Sequence, residues 1–195
     1  MLENKIRSVL KLVLQAPLTK GLAPFSALTP VVITIVFLAL GVAVLPLMLL
    51  QLSKLALIAL WLSYLLYLLN GALSAVKGQV NSVNTLYDFY ALRIVEFAII
   101  FGFYLLNPGI IAWISILLLA SSSLAFSSEL ALGILTAKSS EQVFYQSTGL
   151  LDRCEMLLLF SVMIFFPVTY GVLGIALVIL LLCTAAFRML EYQRR

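Results

Sequence analysis

The chain has 195 residues, of which 64% are hydrophobic and only 10% charged. Soluble domains run near half apolar and a quarter charged, so this composition excludes a soluble globular domain and predicts an all-α integral membrane protein. The formal net charge is +4 and there is no histidine, which excludes His-based acid–base catalysis and His metal ligation.

In chain order, residues 1–16 come first. Leu2, Ile6, Val9, Leu10, Val13 and Leu14 recur at helical spacing, while Glu3, Lys5, Arg7, Ser8 and Lys11 fill the other face. Apolar and basic residues interleave here, unlike the compact apolar core of a signal peptide. The pattern predicts an amphipathic helix lying in the membrane interface, ended by Pro17. Residues 17–195 are expected to form one transmembrane domain. No charge occurs between Lys20 and Lys54, Lys54 and Lys77, Glu96 and Glu129, or Glu155 and Arg188. A helix needs about 20 apolar residues to cross the hydrocarbon. Breaks at Asn107-Pro108-Gly109 and near Pro167 and Gly171 divide the longer runs. Six spans are predicted, near 29–50, 54–76, 84–106, 108–131, 148–167 and 168–188.

Six spans place both termini on one side, together with Lys5, Arg7, Lys11, Lys20, Lys77, Lys138, Arg188, Arg194 and Arg195, and leave Lys54 alone on the other. The positive-inside rule makes the basic side cytoplasmic, in a bacterial-type plasma membrane. This charge suits anionic lipid headgroups, and nothing in it marks a nucleic-acid partner. Cys154 and Cys183 form no CxxC pair and are read as buried apolar thiols.

The stretch "YLLNGALSAVKGQVNSVNTLYDFYALR", Tyr67 to Arg93, has the spacing of a known motif. With "LTPVVIT" (Leu28 to Thr34), "GLLDRCEMLLL" (Gly149 to Leu159) and "TAAFRMLEYQRR", it resembles the CDP-alcohol phosphatidyltransferase family. That family's motif is D-x-x-D-G-x-x-A-R, eight further residues, then G-x-x-x-D-x-x-x-D. Gly71 and Asp88 match it. Tyr67, Asn70 and Leu92 stand at three of its four aspartates, Ser74 and Ala75 at its alanine and arginine, and Asn84 at its second glycine. "KGQ", Lys77 to Gln79, is similar to the link that follows, and Arg153 is kept from the family's fifth-span motif.

The resemblance implies a six-span fold, dimerisation through transmembrane helices, and transfer of a phosphoalcohol group from a CDP-linked donor to an alcohol with release of CMP. It also implies two divalent cations, Mg or Mn, held by the four aspartates, the last of which is proposed as general base. Here only Asp88 remains of the four. Asn70 offers a neutral amide oxygen, a phenol ligates Mg²⁺ poorly, and Leu92 can neither bind a metal nor accept a proton. A further family arginine, thought to help bind the acceptor's phosphate, is replaced by Phe126 in "SLAFS".

The sequence therefore predicts no catalytic residue and no metal site. It predicts a vestigial donor or headgroup site at Asn70, Gly71, Lys77, Asn84, Asp88 and Arg153. The protein is read as a pseudoenzyme of phospholipid biosynthesis acting in lipid binding, regulation or complex assembly, as a homodimer or hetero-oligomer. The alternative is an active, diverged transferase whose metal ligands include Glu129 or Asp152. Arg93 and Glu96, three apart on one helix, are expected to pair. "NGALSA" and "ASSSLAFSS" supply small residues for close helix contact in lipid.

Overall fold

The computed structural model describes residues 29–76, 82–106, 109, 112–136 and 153–193, and among these the regular structure is entirely helical. Lipid offers no hydrogen bonds to a backbone, so a spanning segment must satisfy its own polar groups. The helices are α1 (Pro30–Leu49), α2 (Ser53–Val76), α3 (Ser82–Leu106), α4 (Ala112–Thr136), α5 (Arg153–Phe165) and α6 (Tyr170–Gln193), with a 3₁₀ turn at Pro167–Thr169 before α6. The predicted interfacial helix over residues 1–16 lies outside the described residues.

Among the described residues, five segments are long and apolar enough to cross a membrane: Pro30–Leu49, Ser53–Gly71, Val83–Leu106, Ala112–Ala131 and Pro167–Leu190. The chain is an integral membrane protein on that evidence. Six spans are predicted, and α5 accounts for the difference. Its described part, 13 residues, covers about 20 Å at 1.5 Å per residue, short of a hydrocarbon core of about 30 Å, and begins at the edge of the described residues. The remainder of the predicted fifth span, 148–152, falls outside the described residues. Phe166, with φ −122° and ψ 80°, and Pro167 end the helix on the other side.

The chain divides into two compact units, with the boundary between Gly102 and Phe103 in α3. In the first unit, α1 opens where Thr29 is extended and Pro30 takes the first helical position, where proline's fixed φ is already helical and its missing N–H is no loss. Ile33, Phe37, Gly41, Val44 and Met48 form the buried face. The helix closes on Gln51, whose φ of 59° is left-handed. The Leu52 amide donates to the Leu47 carbonyl at 3.0 Å and the Gln51 amide to the Met48 carbonyl at 2.9 Å, the two bonds of a Schellman end. This tight stop turns α1 back along α2.

Gly41 sets the closeness of the first unit. A Cβ there would lie 2.2 Å from Val95 Cγ2 on α3 and 3.0 Å from Ser63 Oγ on α2. In lipid, helices associate largely by such close packing. Ser63 adds a bond, its hydroxyl donating to the Phe37 carbonyl at 2.7 Å.

The second unit runs from Phe103 to the C-terminus. Phe103 stacks on Tyr170 of α6, centroids 4.6 Å apart, and Tyr170 shares a 2.5 Å hydrogen bond with Ser115 of α4. Gly174 meets α4 at Ile114, where a Cβ would lie 2.6 Å from Cγ2. Cys154 is buried, as its apolar setting predicts, but Cys183 lies on the exposed face of α6. That corrects the expectation of two buried thiols: position 183 falls on the outward side of the helix.

Candidate functional site

The motif positions occupy the end of α2 and the start of α3. Tyr67 and Asn70 are one turn apart on α2 and both buried, with Gly71 and Ser74 half-buried beside them. Asn84 and Asp88 are one turn apart on α3, and Leu92 follows one turn later, all three half-buried. Lys77 lies outside the described residues.

Asn70 and Asp88 meet directly. The Asn70 amide nitrogen donates to both carboxylate oxygens of Asp88, at 2.9 Å and 3.0 Å. Thr34 of α1 joins them. Its hydroxyl contacts Asp88 Oδ1, lies 3.0 Å from the Pro30 carbonyl, and accepts from the Asn70 amide nitrogen at 3.1 Å. Three helices of one unit thus bring an amide, a hydroxyl and a carboxylate to one point. Asn70 is 1% exposed, and its amide oxygen is buried with no hydrogen-bond partner. A carboxylate only accepts, so it draws the nitrogen end of the amide and turns the oxygen end away.

The divalent cations that the resemblance implies can be tested against this donor set. Tyr67 is packed among aromatic rings, edge-on to Phe37 at 5.8 Å and tilted against Tyr64 at 6.0 Å. Leu92 has no donor atom. Asn70 presents N–H groups rather than its oxygen toward Asp88. Hard divalent cations require several oxygen ligands, and these residues do not provide them. Among the described residues, no three His, Cys, Asp or Glu side chains cluster so as to hold a metal ion.

Arg153 belongs to the second unit. At the start of α5 it donates to Glu129 of α4 at 3.3 Å. Arg188 of α6 approaches the same carboxylate at 3.7 Å and donates to the Ala125 carbonyl at 3.0 Å. Asp152, expected beside Arg153, is outside the described residues. Arg188, placed among the cytoplasmic basic residues by the topology argument, is 8% exposed. An arginine at a span end can reach back to a half-buried acid because its stem is long and apolar. Sequence reasoning missed this role for Arg188, and it missed Thr34. The signal for Thr34 was a hydroxyl four residues after Pro30 on the face that also holds Phe37 and Gly41.

Arg93 and Glu96 form the ion pair their spacing suggests, with the Arg93 guanidinium 6.0 Å from the Phe89 ring centre. Several serines of α4 bond to their own helix. Ser123 donates to the Leu119 carbonyl and Ser127 to the Ser123 carbonyl, each at 2.8 Å.

No family model and no curated protein matches this chain. Solved structures do. A crystal structure of Mycobacterium tuberculosis phosphatidylinositol phosphate synthase with CDP-DAG bound is similar with a TM-score of 0.71 and 20% identity, over 89% of this chain and 90% of that one. A second crystal structure of that synthase, in complex with manganese and citrate, gives a TM-score of 0.61 and 21% identity, over 89% and 86% of the two chains. The shared property at this identity is the fold, and it extends over nearly the whole of both chains.

Proposed function

We propose that this protein is a CDP-alcohol phosphatidyltransferase by descent in which the transfer chemistry has lapsed. Its present role is to bind lipid, or to regulate or assemble other components of phospholipid biosynthesis. One observation carries the reading: the Asn70 amide nitrogen donates to both oxygens of Asp88, the one carboxylate left at the motif positions. Attack of an alcohol on a CDP-linked donor requires the hydroxyl proton to be taken up and charge on the pyrophosphate to be neutralised. Leu92 takes up no proton, and Asp88 adds negative charge already committed to its own neighbours.

The fold likeness itself favours a second reading, an active but diverged transferase that releases CMP. A synthase solved with CDP-DAG bound covers this chain almost end to end, and that comparison speaks for activity more directly than for its loss. The residues and the fold pull in opposite directions, so the deciding measurement is chemical. Purified protein is supplied with CDP-diacylglycerol, a panel of alcohols and Mg²⁺ or Mn²⁺. Absence of CMP release supports the first reading, and metal-dependent release establishes the second. A Y67D/N70D/A75R/L92D variant that alone gains thermal stabilisation from CDP-diacylglycerol and Mn²⁺ would mark the natural site as a scaffold stripped of its chemistry.

The rest of the proposal follows the family pattern. Residues 1–16 form an interfacial helix, residues 17–195 cross a bacterial plasma membrane six times with both termini cytoplasmic, and the chain pairs through its transmembrane helices. Gly71, Asn84 and Lys77 complete the headgroup site around Asn70 and Asp88, and Arg153 contributes a phosphate contact.

A further inference from the structure

We propose that the Asn70 amide does the structural work of a metal cation. It joins α1, α2 and α3 by hydrogen bonds at the point where the family pattern places two metal ligands. This rests on the reading above that positions 70 and 88 descend from such ligands.

The inference starts from the failure of the donor set to fit a metal. Two carboxylates facing each other at about 3 Å repel, and a cation between them removes the repulsion. Asparagine has the shape of aspartate with one oxygen replaced by N–H₂. In the structure that nitrogen lies 2.9 Å and 3.0 Å from the two oxygens of Asp88. The repulsive pair has become a charge-assisted hydrogen-bonded pair. The same nitrogen reaches Thr34 Oγ1 at 3.1 Å, and Thr34 contacts Asp88, so the third helix is tied in without an ion.

The Asn70 oxygen supports this assignment. It is buried and has no partner, whereas an amide acting as a cation ligand would point that oxygen at the cation and so toward Asp88. The amide is oriented for the carboxylate at the expense of its own acceptor. Tyr67, one turn earlier, fills its position with an aromatic ring packed on Phe37, so the neighbouring ligand position is closed by packing as well.

The test is thermal unfolding of the purified full chain at pH 8, in EDTA and in millimolar Mn²⁺, for the natural protein, N70D and the exchange N70D/D88N. The natural protein is expected to melt at the same temperature in both. N70D restores two facing carboxylates and is expected to lose roughly 4 °C or more in EDTA and to recover most of it in Mn²⁺. The exchange keeps one amide and one carboxylate, and is expected to melt near the natural protein with no response to Mn²⁺.

Stabilisation of the natural protein by Mn²⁺ overturns the proposal. So does an N70D variant as stable in EDTA as the natural protein, or one that Mn²⁺ does not help. If N70D does not fold, the exchange decides: melting near the natural protein supports the proposal, and a loss of roughly 4 °C or more overturns it. CMP release by the natural protein would sink the reading of lost catalysis and leave these melts to stand or fall separately.

Discussion

The two units each hold a carboxylate among membrane helices and treat it differently. In the first, Asp88 is met by an amide and a hydroxyl, both neutral. In the second, Glu129 is met by two guanidinium groups, from α5 and α6. A carboxylate in a low-dielectric setting needs donors, but they need not be cations. Neutral donors leave the charge in place and spread it over short dipoles. Cationic donors cancel it and then depend on it, because two guanidinium groups brought together without the acid repel each other. Loss of one neutral donor is therefore expected to cost less than loss of the acid that holds two guanidinium groups together.

Removing the acid from the cluster is the largest break. E129A should destabilise the protein by about 3 kcal/mol, because loss of one partner leaves charge uncompensated inside the bundle. E129Q should lose less, since its amide oxygen still accepts from one arginine. Chemical unfolding of both variants in detergent checks the order. T34V is the matching break in the neutral network. It keeps the side-chain shape and removes a hydroxyl bonded to Asp88, with an expected loss of about 1.5 kcal/mol, typical for a hydrogen bond to a charged group. If T34V proves as damaging as E129A, the distinction between the two units fails.

G41A sharpens the comparison by testing whether packing or polar contact sets the first unit's geometry. Its methyl would fall 2.2 Å from Val95 Cγ2, so about 1 kcal/mol or more of overpacking is expected. G41A/V95A should recover part of the loss, and the readout is the melting temperature of the two variants side by side. The smallest effect expected is at Gln51. Q51G relieves a left-handed backbone and should stabilise by roughly 0.5 kcal/mol, giving a reference change remote from both carboxylates.

Much of this architecture was legible in the sequence, and particular residues show why. Apolar runs placed α1, α2, α3 and α4 near their observed bounds, although α3 carries Asp88, Arg93 and Glu96, because crossing lipid demands apolar length. The grouping of Asn70 with Asp88 was implied by the family resemblance, which sets both at motif ligand positions. Thr34 escaped because a hydroxyl near a helix start is common and usually bonds its own backbone, as Thr34 also does to Pro30. The Glu129 cluster escaped for a different reason. Its arginines lie 24 and 59 positions away, on two other helices, and no local pattern encodes which span ends will converge. Arg188 looked like one more basic residue at the cytoplasmic rim. The break at Pro167 was legible, and α5 ends two residues before it.

The outward surface of the helices bears on how such a protein changes over time. Val168 is 96% exposed and Val172 77%, and Trp113, Ile58 and Met189 also face outward. To a lipid chain one hydrocarbon side chain is nearly as good as another, so replacements at these positions leave little trace in stability. Most of the chain can drift through the apolar alphabet while a few positions hold the helices together: Gly41, Gly174, Thr34, Asn70, Asp88, Glu129 and Arg188. A fold shared at 20% identity is what that division of labour produces. A residue count over the whole chain mostly measures the freedom of its greasy exterior, so a fold can be shared where few residues are.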